Sequence, residues 1–258
     1  MKTGVLGLGA MGAGMAWNLH RQGFLAAVWN RTPSRAEPFA AQEGIRVAAT
    51  PEELARCCAL IIICVSRDAD VKQAISAMRP GLAAGTVVVD TSTVSAVTAC
   101  ELATQLGARG VEFLDCPVSG GVEGARQGTL AMMVGGNAEA LERVRPALAA
   151  IARRIVHMGP SGSGQATKAV NQIMAAGINQ AVTEALAFGQ AMGLAMDKVL
   201  DVVGSGAAAN WFLEHRGKSM LQGRFSPGFK VSLHHKDLSI CREMARNAAS
   251  LPMTEMTI

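Results

Sequence analysis

The sequence predicts a doubly wound α/β fold built on a parallel sheet, followed by an all-α domain that begins with a long helix. Two observations carry this prediction. Short apolar segments alternate with segments of helical periodicity through residue 161. After the glycine-rich "GPSGSG", the strand pattern stops, and the chain has the pattern of one helix from about Ser163 to Met192. Strands separated by helices indicate βαβ units, and their crossovers make the strands parallel.

The elements of the first half can be followed in order. "TGVLGL" is short, apolar and ends in glycine, which is typical of a buried parallel strand, and "AMGAGMAWNLHRQG" has helical spacing with a stop at Gly23. "TPSRAEPFAAQEG" is the next predicted helix, with Thr32 or Ser34 as its cap, and "TPEELARC" follows with Thr50 as its cap and Pro51 in its first turn. The other predicted strands are "LAAVWN", "IRVAA", "ALIIICV", "TVVVD", "VEFLD" and "RIVHMG", and the other helices are "DADVKQAISAM", "SAVTACELATQLG" and "NAEALERVRPALAAIA".

The composition shifts between the two predicted domains. We expect residues 1–161 to form a nucleotide-binding domain and residues 162–258 to form a helical domain. The final "LPMTEMTI" has the pattern of a helix that is only beginning. We therefore expect the helical domain to lack its last helix.

Composition excludes several classes of function. The 258 residues are half apolar with a net charge of +4, and no run of Lys or Arg forms a basic stripe that would bind nucleic acid. The longest apolar run, "ALIIICV", is far shorter than the roughly 20 residues of a membrane span. The six cysteines show no CxxC spacing, which favours reduced thiols in a cytoplasmic protein. No HExxH spacing or Cys/His cluster indicates a metal.

The segment "GLGAMG" is the first candidate site. It has the G-x-G-x-x-G spacing directly after a strand and at the start of a helix, which is the dinucleotide-binding context of a Rossmann-type fold. Gly7 allows the tight turn, Gly9 lets a pyrophosphate approach the backbone, and Gly12 lets helix and strand pack closely. A purely structural glycine turn is the alternative. The predicted cofactor-binding residues of this turn are Gly7, Leu8, Gly9, Ala10, Met11 and Gly12.

The segment "WNRT" bears on the choice of cofactor. Asn30 lies 18 residues past Gly12, at the end of the second predicted strand, where an acidic residue would bind the ribose of NAD. Asn30 does not repel a 2′-phosphate, and Arg31 can pair with one, with Thr32 and Ser34 or Arg35 able to add contacts. This favours NADP over NAD, although an ordinary solvated arginine is the alternative.

Two further segments carry polar groups among small residues. Ser119, Gly120 and Gly121 follow a strand and expose backbone N–H groups that can hold a substrate carboxylate, or they form only a tight turn. Lys168 and Asn171 share one face of the long helix, and a lysine buried there is suited to proton transfer. The alternative is a lysine that extends to solvent.

A fourth segment, "HHKDL", contains Lys236 and Asp237. These two residues can reach the cofactor or orient the site. The alternative is an ion pair on the surface of a helix.

The four segments together resemble the β-hydroxyacid dehydrogenases. "GLGAMGAGMAWNL", "DCPVSGGVEGARQGTLAMMVGG", "GSGQATKAVNQ" and "KDL" are similar to the four sequence blocks of that family, in order and along nearly the whole chain. The resemblance implies that Lys168 is the catalytic acid/base and that Asn171 orients the substrate. It implies that Ser119, Gly120 and Gly121 hold the carboxylate, with Asp237 supporting the site. It also places Val65, Ser66, Thr93 and Lys236 near the cofactor.

The resemblance implies a homodimer or homotetramer, with the helical domain making the contacts, and a small carboxylate-bearing substrate. "WNRT" is similar to the NADPH-using semialdehyde and glyoxylate reductases, whereas "SGGVEGARQGTL" is as similar to the 3-hydroxyisobutyrate and tartronate semialdehyde enzymes. The alternatives are a 6-phosphogluconate dehydrogenase relative, an imine reductase and a non-catalytic NADP-binding regulator. The imine reductases typically replace the lysine, and non-catalytic relatives lose it, so Lys168 favours the dehydrogenase.

Overall fold

The computed structural model describes residues 1–225 and 228–258. The backbone forms two compact units, Met1–Ala169 and Val170–Ile258. The domain boundary that the sequence predicts, between residues 161 and 162, stays a prediction.

The first unit contains one mixed sheet in which most strands are parallel. Nine strands lie in the described residues: β1 Thr3–Leu6, β2 Leu25–Trp29, β3 Arg46–Val47, β4 Leu60–Ile63, β5 Val87–Asp90, β6 Glu112–Asp115, β7 Val118–Ser119, β8 Leu130–Gly135 and β9 Ala152–Gly159. Their order is β3-β2-β1-β4-β5-β6-β8-β7, with β9 also paired to β8. The strands from β3 to β6 are parallel, so their carboxyl ends meet at one edge. This confirms the predicted fold class.

Helices alternate with the strands and then continue without them. In the described residues they are α1 Gly12–Arg21, α2 Glu37–Ala40, α3 Pro51–Cys57, α4 Asp68–Met78, α5 Ala96–Gly107, α6 Gly121–Gln127, α7 Ala138–Leu148, α8 Ser163–Ala191, α9 Met196–Gly204, α10 Trp211–Leu221, α11 Val231–Ala245 and α12 Pro252–Thr257. The predicted cap of α3 is present, because Thr50 Oγ1 accepts a hydrogen bond from the amide of Glu53 at 3.1 Å.

The central strands are buried on both faces. Successive residues of β4 belong to different apolar clusters: Ile62 packs with Val5 and Val89, whereas Ile61 and Ile63 pack in the second cluster. A strand covered on both faces has a continuous apolar sequence rather than an alternating one, which explains "LIII".

Four local features differ from the sequence prediction. The predicted helix over "TPSRAEPFAAQEG" is wrong: a 3₁₀ turn, Pro33–Arg35, precedes a single turn of α-helix, and Thr32 makes no side-chain cap. Proline cannot donate to a helical ladder, and two prolines interrupt this segment. The strand over "IRVAA" has only two paired residues. The sequence did not predict α6, and β8 runs antiparallel to β6 and β7.

The second unit is helical. Most of α8 belongs to it, and α8 matches the long helix predicted from Ser163 to Met192. A small apolar cluster forms around Val182, Leu186 and Leu213. Within the part of the chain that the structure describes, no helix is long and apolar enough to cross a membrane.

Candidate functional site

The three glycines of the "GLGAMG" turn have different surroundings. Gly7 adopts a φ of +98°, which a side chain rarely adopts, and a Cβ there would collide with the carbonyl oxygen of Cys64. A Cβ on Gly12 would collide with the carbonyl oxygen of Gly7. A Cβ on Gly9, in contrast, would meet no atom within 4 Å. Gly7 and Gly12 therefore serve packing, while the backbone at Gly9 is open to an approaching group.

The other residues of the turn lead into the first helix. Leu8 is buried, Ala10 is exposed and Met11 is half-buried, and α1 begins at Gly12. The first amides of a helix have no partner within the helix and lie at the positive end of its dipole. The turn therefore has the backbone donors that an anionic group needs.

Asn30 holds the glycine-rich turn. Its Oδ1 accepts a hydrogen bond from the amide of Leu8 at 2.7 Å, and its Nδ2 donates to the carbonyl oxygen of Thr32 at 2.9 Å. Both polar atoms of Asn30 thus have partners within the protein. The neighbouring Arg31 is 77% exposed and pairs with Asp70 of α4 at 3.3 Å. Arg31 is an exposed charged group of this loop, and so is Arg35, whose Nη1 donates to the carbonyl oxygen of Leu8 at 3.4 Å.

The loops after β4 and β5 lie at the same sheet edge as the glycine-rich turn. The amide of Val65 donates to Ser92 Oγ at 3.0 Å, which connects the two loops. Ser66 is exposed, and Val65 and Thr93 are half-buried. In a doubly wound sheet, this edge is where ligands bind.

The predicted carboxylate site follows a short strand. Ser119 ends β7, and Gly120 and Gly121 adopt φ values of +127° and +61°. Both glycines are exposed, and a Cβ on Gly121 would meet nothing within 4 Å. The backbone in this segment is open to a ligand, and its positive φ angles require glycine.

Lys168 lies beside this segment. Its side chain is 7% exposed, and its Nζ donates a hydrogen bond to the carbonyl oxygen of Val118 at 2.8 Å. The alternative of a lysine that extends to solvent is therefore wrong. The helix α8 places an ammonium next to the residue that precedes Ser119.

Two buried residues that the sequence reasoning did not single out hold the start of α8. Asp115 accepts hydrogen bonds from the amide of Gly162 at 2.8 Å and from the amide of Gln165 at 3.0 Å. The side chain of Gln165 accepts from the amide of Val94 at 3.2 Å and donates to the carbonyl oxygen of Ser92 at 2.9 Å. An acid that ends a strand and a glutamine in the first turn of the helix were the only signals in the sequence.

Two neighbouring carboxyls at the sheet edge have perturbed pKa values. Burial raises the pKa of Asp90 to about 7, against the hydrogen bonds from Ser92 that lower it, and the charge of Asp115 raises it further. Burial also raises the pKa of Asp115, while the amides of Gly162 and Gln165 oppose this shift. Asp90 and Asp115 are register partners on β5 and β6.

The remaining predicted site residues lie in the second unit. Asn171 follows Lys168 by one turn of α8, and its Nδ2 donates to Gln172 Oε1 at 2.8 Å. Gln172 Nε2 donates to Asp237 Oδ2 at 2.6 Å, and Lys236 pairs with Asp237 at 2.8 Å. Asp237 is only 3% exposed, so the alternative of a surface ion pair is wrong.

In residues 1–225 and 228–258, no group of three or more His, Cys, Asp or Glu side chains could hold a metal ion. All six cysteines are free thiols. Burial raises the pKa of Cys58 to about 12 and that of Cys64 to about 11.

Two protein families match the chain in succession. The family described as the NAD binding domain of 6-phosphogluconate dehydrogenase matches residues 2–159. The family described as the NAD-binding of NADP-dependent 3-hydroxyisobutyrate dehydrogenase matches residues 162–257. Together the two matches span both compact units.

Individual relatives are similar along nearly the whole chain. The 2-hydroxy-3-oxopropionate reductase of Escherichia coli (strain K12) is 35% identical over 258 residues, which cover 98% of this chain and 88% of the relative. The NAD-dependent L-serine dehydrogenase of Pseudomonas aeruginosa is 33% identical, with coverage of 98% and 88%. The solved structure of Mycobacterium tuberculosis 3-hydroxyisobutyrate dehydrogenase with L-serine has a TM-score of 0.88 and 31% identity, and the match covers 99% of this chain and 90% of that one.

Proposed function

Because the chain belongs to the β-hydroxyacid dehydrogenase family, and is thus an oxidoreductase with a nicotinamide cofactor, we propose that it uses NADP(H) to interconvert a small β-hydroxyacid and its semialdehyde. The substrate class follows the relatives, which include a 2-hydroxy-3-oxopropionate reductase and a 3-hydroxyisobutyrate dehydrogenase. The proposed substrate carries one carboxylate and one reducible carbonyl.

The observation that carries this proposal is the position of Lys168. Its Nζ is 2.8 Å from the carbonyl oxygen of Val118, directly before the open backbone of Ser119, Gly120 and Gly121. A substrate whose carboxylate accepts hydrogen bonds from the Ser119–Gly121 segment would place its carbonyl group close to the ammonium. One anchor and one proton donor, a few ångströms apart, are what a small hydroxyacid requires.

Lys168 is proposed to move the proton of the reaction. When bound, the cofactor supplies or accepts the hydride at its nicotinamide ring. Reduction builds negative charge on the carbonyl oxygen, and the ammonium of Lys168 donates a proton to it. In the oxidative direction the neutral amine accepts the hydroxyl proton. The carbonyl oxygen of Val118 holds Nζ in place in the meantime.

The preference for NADP is proposed from charge. Arg31 is the exposed cation at the end of β2, and Asn30 adds no negative charge that would repel a 2′-phosphate. One relative is named as an NAD-dependent enzyme, whereas the family that matches the second half of the chain is described as NADP-dependent. The choice in this chain therefore rests on Arg31, with Thr32 beside it.

The other predicted roles are proposals of the same kind. Asn171 is proposed to orient the substrate, Lys236 to contact the cofactor and Asp237 to support substrate binding. The hydrogen bond from Gln172 supports the role of Asp237, because it fixes a buried carboxylate in one orientation. Val65, Ser66 and Thr93 are proposed to contact the cofactor, and the chain is proposed to form a homodimer or homotetramer.

One experiment tests the reaction. NADPH and NADH consumption is followed with glyoxylate, succinic semialdehyde, methylmalonate semialdehyde and tartronate semialdehyde, and with propanal as a control that lacks the carboxylate. We expect turnover with at least one acid, faster with NADPH, and little with propanal. No turnover with any acid would refute the oxidoreductase assignment to this substrate class, and equal rates with propanal would refute the carboxylate site.

A further inference from the structure

Gln165 connects the helix that carries Lys168 to the loop after β5. The side chain is 1% exposed, and both of its polar atoms are bonded to that loop: Oε1 to the amide of Val94 and Nε2 to the carbonyl oxygen of Ser92. The two bonds straddle Thr93, so the loop cannot slide along the helix without breaking one of them. A buried glutamine with all its partners in one segment specifies a single position.

The loop that Gln165 holds is itself connected to the next loop of the sheet edge. Ser92 Oγ accepts a hydrogen bond from the amide of Val65, and Asp90 Oδ1 accepts one from the amide of Ser92. The loops after β4 and β5, which carry the residues proposed to contact the cofactor, are thus connected by hydrogen bonds through Ser92, and Gln165 joins them to α8.

The first turn of α8 is also fixed along its own axis. Asp115 accepts from the amides of Gly162 and Gln165, and a Cβ on Gly164 would collide with the carbonyl oxygens of Asp115 and Met133. The helix therefore begins in direct contact with the ends of β6 and β8. Lys168 lies three residues after Gln165, on the same face of the helix.

We propose that Gln165 is a positioning residue that sets the distance between the bound nicotinamide and the Lys168 ammonium. The inference rests on the proposed function. Hydride transfer and proton transfer occur at neighbouring atoms of one small substrate, so the groups that serve them must be held in register. A misplacement of about 1 Å costs on the order of 100-fold in rate. Gln165 supplies two side-chain hydrogen bonds between α8 and the Ser92–Val94 loop.

Two substitutions test the role of Gln165. Gln165→Met keeps the length and volume of the side chain and removes both hydrogen bonds. Gln165→Glu can make both bonds only when its carboxyl is protonated, since a carboxylate cannot donate to the carbonyl oxygen of Ser92. The matched control is the same pair of substitutions at Gln73, an exposed glutamine on α4.

We expect Gln165→Met to lower kcat by about 10-fold to 100-fold. The cofactor Kd should stay close to that of the unmutated enzyme, because the glycine-rich turn is intact. Gln165→Glu should recover kcat towards low pH and lose it as the pH rises, with a transition that the unmutated enzyme and the Gln73 variants lack. If Gln165→Met does not fold, the pH profile of kcat in Gln165→Glu tests the positioning role instead.

The outcomes separate this inference from the proposed function. If the unmutated enzyme turns over, a normal kcat in Gln165→Met would overturn the positioning role alone. The absence of a new transition in the pH profile of Gln165→Glu would do the same. An enzyme that is inactive towards every semialdehyde acid would overturn the proposed function and the inference with it. A fall in cofactor affinity equal to the fall in kcat would also overturn the positioning role, because Gln165 would then only stabilise the cofactor-binding loop.

Discussion

Lys168 Nζ donates a hydrogen bond to the carbonyl oxygen of Val118, a residue fifty positions earlier in the chain. The bond joins the first turns of α8 to the short strand β7. It accounts for the burial of a lysine that periodicity alone would place at the surface. It also places the ammonium beside the residue that precedes Ser119.

Substitution of Lys168 should separate catalysis from cofactor binding. We expect Lys168→Met, which fills the same volume, to lower kcat by roughly 10² to 10⁴. Lys168→Arg should be impaired as well, because a guanidinium stays charged and cannot exchange the proton. The cofactor Kd, measured by fluorescence, should change little in either variant. Exposed Lys72→Met is the control, and turnover near the unmutated level in Lys168→Met would show that Lys168 is structural.

The glycines of the turn should respond differently to alanine. Gly12→Ala must move backbone, since its Cβ would collide with the carbonyl oxygen of Gly7, so we expect a lower Tm. Gly9→Ala has space and should leave Tm unchanged while weakening cofactor binding, because its methyl group occupies the approach to the backbone. Thermal unfolding and cofactor titration of both variants check this. A Gly9→Ala variant with unaltered cofactor Kd contradicts the placement of the pyrophosphate.

Changing the charges at the end of β2 should shift the cofactor preference from NADP towards NAD. In Asn30→Asp combined with Arg31→Leu, the new carboxylate keeps the acceptor for the amide of Leu8, repels a 2′-phosphate and can bind the ribose. Loss of a charge-assisted contact should cost the NADP complex about 1.5–3 kcal/mol. The ratio of kcat/KM for NADPH and NADH is the measurement. An unmutated enzyme that uses both cofactors equally would refute the assigned role of Arg31.

Asp70 should weaken the preference for NADP that Arg31 provides. It pairs with Arg31, so it competes with a 2′-phosphate for the guanidinium. We expect Asp70→Asn to tighten NADP binding by about 0.2–1 kcal/mol at low salt, the usual range for exposed ion pairs, and to leave NAD binding unchanged. Glu101→Gln, which removes an exposed ion pair with Lys72, is the control. Weaker NADP binding in Asp70→Asn would mean that Asp70 orients Arg31 instead.

The buried carboxyl of Asp90 should make stability depend on pH. Its pKa is about 7 in the folded protein, against an ordinary value of 3.8 for an aspartate, so the folded state binds more protons between these values. The free energy of unfolding should therefore fall as the pH rises from about 4 to 7. Asp90→Asn should remove the part of this dependence that Asp90 causes, leaving the part due to Asp115, and gain up to about 4 kcal/mol above pH 7. Denaturant titrations at pH 5 and 8.5 test it, with exposed Asp201→Asn as the control.

The sequence was most informative where local chemistry decides the structure. Helix α4 has the predicted bounds, Asp68–Met78, because its apolar residues repeat at helical spacing between a polar start and a turn. Most of the predicted strands are confirmed, because their runs of Val, Ile and Leu are too short for helices, whereas the strand over "IRVAA" is reduced to Arg46–Val47. The segment after Thr32 was predicted wrongly because its prolines limit the helix, an effect that the apolar spacing concealed.

The candidate site was predictable only in part, for a physical reason. The glycine-rich turn between β1 and α1, and the position of Asn30 directly after β2, are set by spacing along the chain. The bonds of Asp115 and Gln165 join residues between 47 and 73 positions apart. The spacing of apolar residues along the chain does not depend on such long-range contacts. A buried glutamine therefore cannot be distinguished from an exposed one by the sequence around it.

The cap of α8 has a consequence for the order in which the protein folds. Gly162, at the start of the helix, has no side chain to bond the free amides of the first turn, and Asp115 supplies the oxygens instead. An isolated α8 peptide would consequently fray at the end that carries Lys168. The first turn becomes stable only when β6 has joined the sheet, so the helix and the sheet unfold as one cooperative unit at this point.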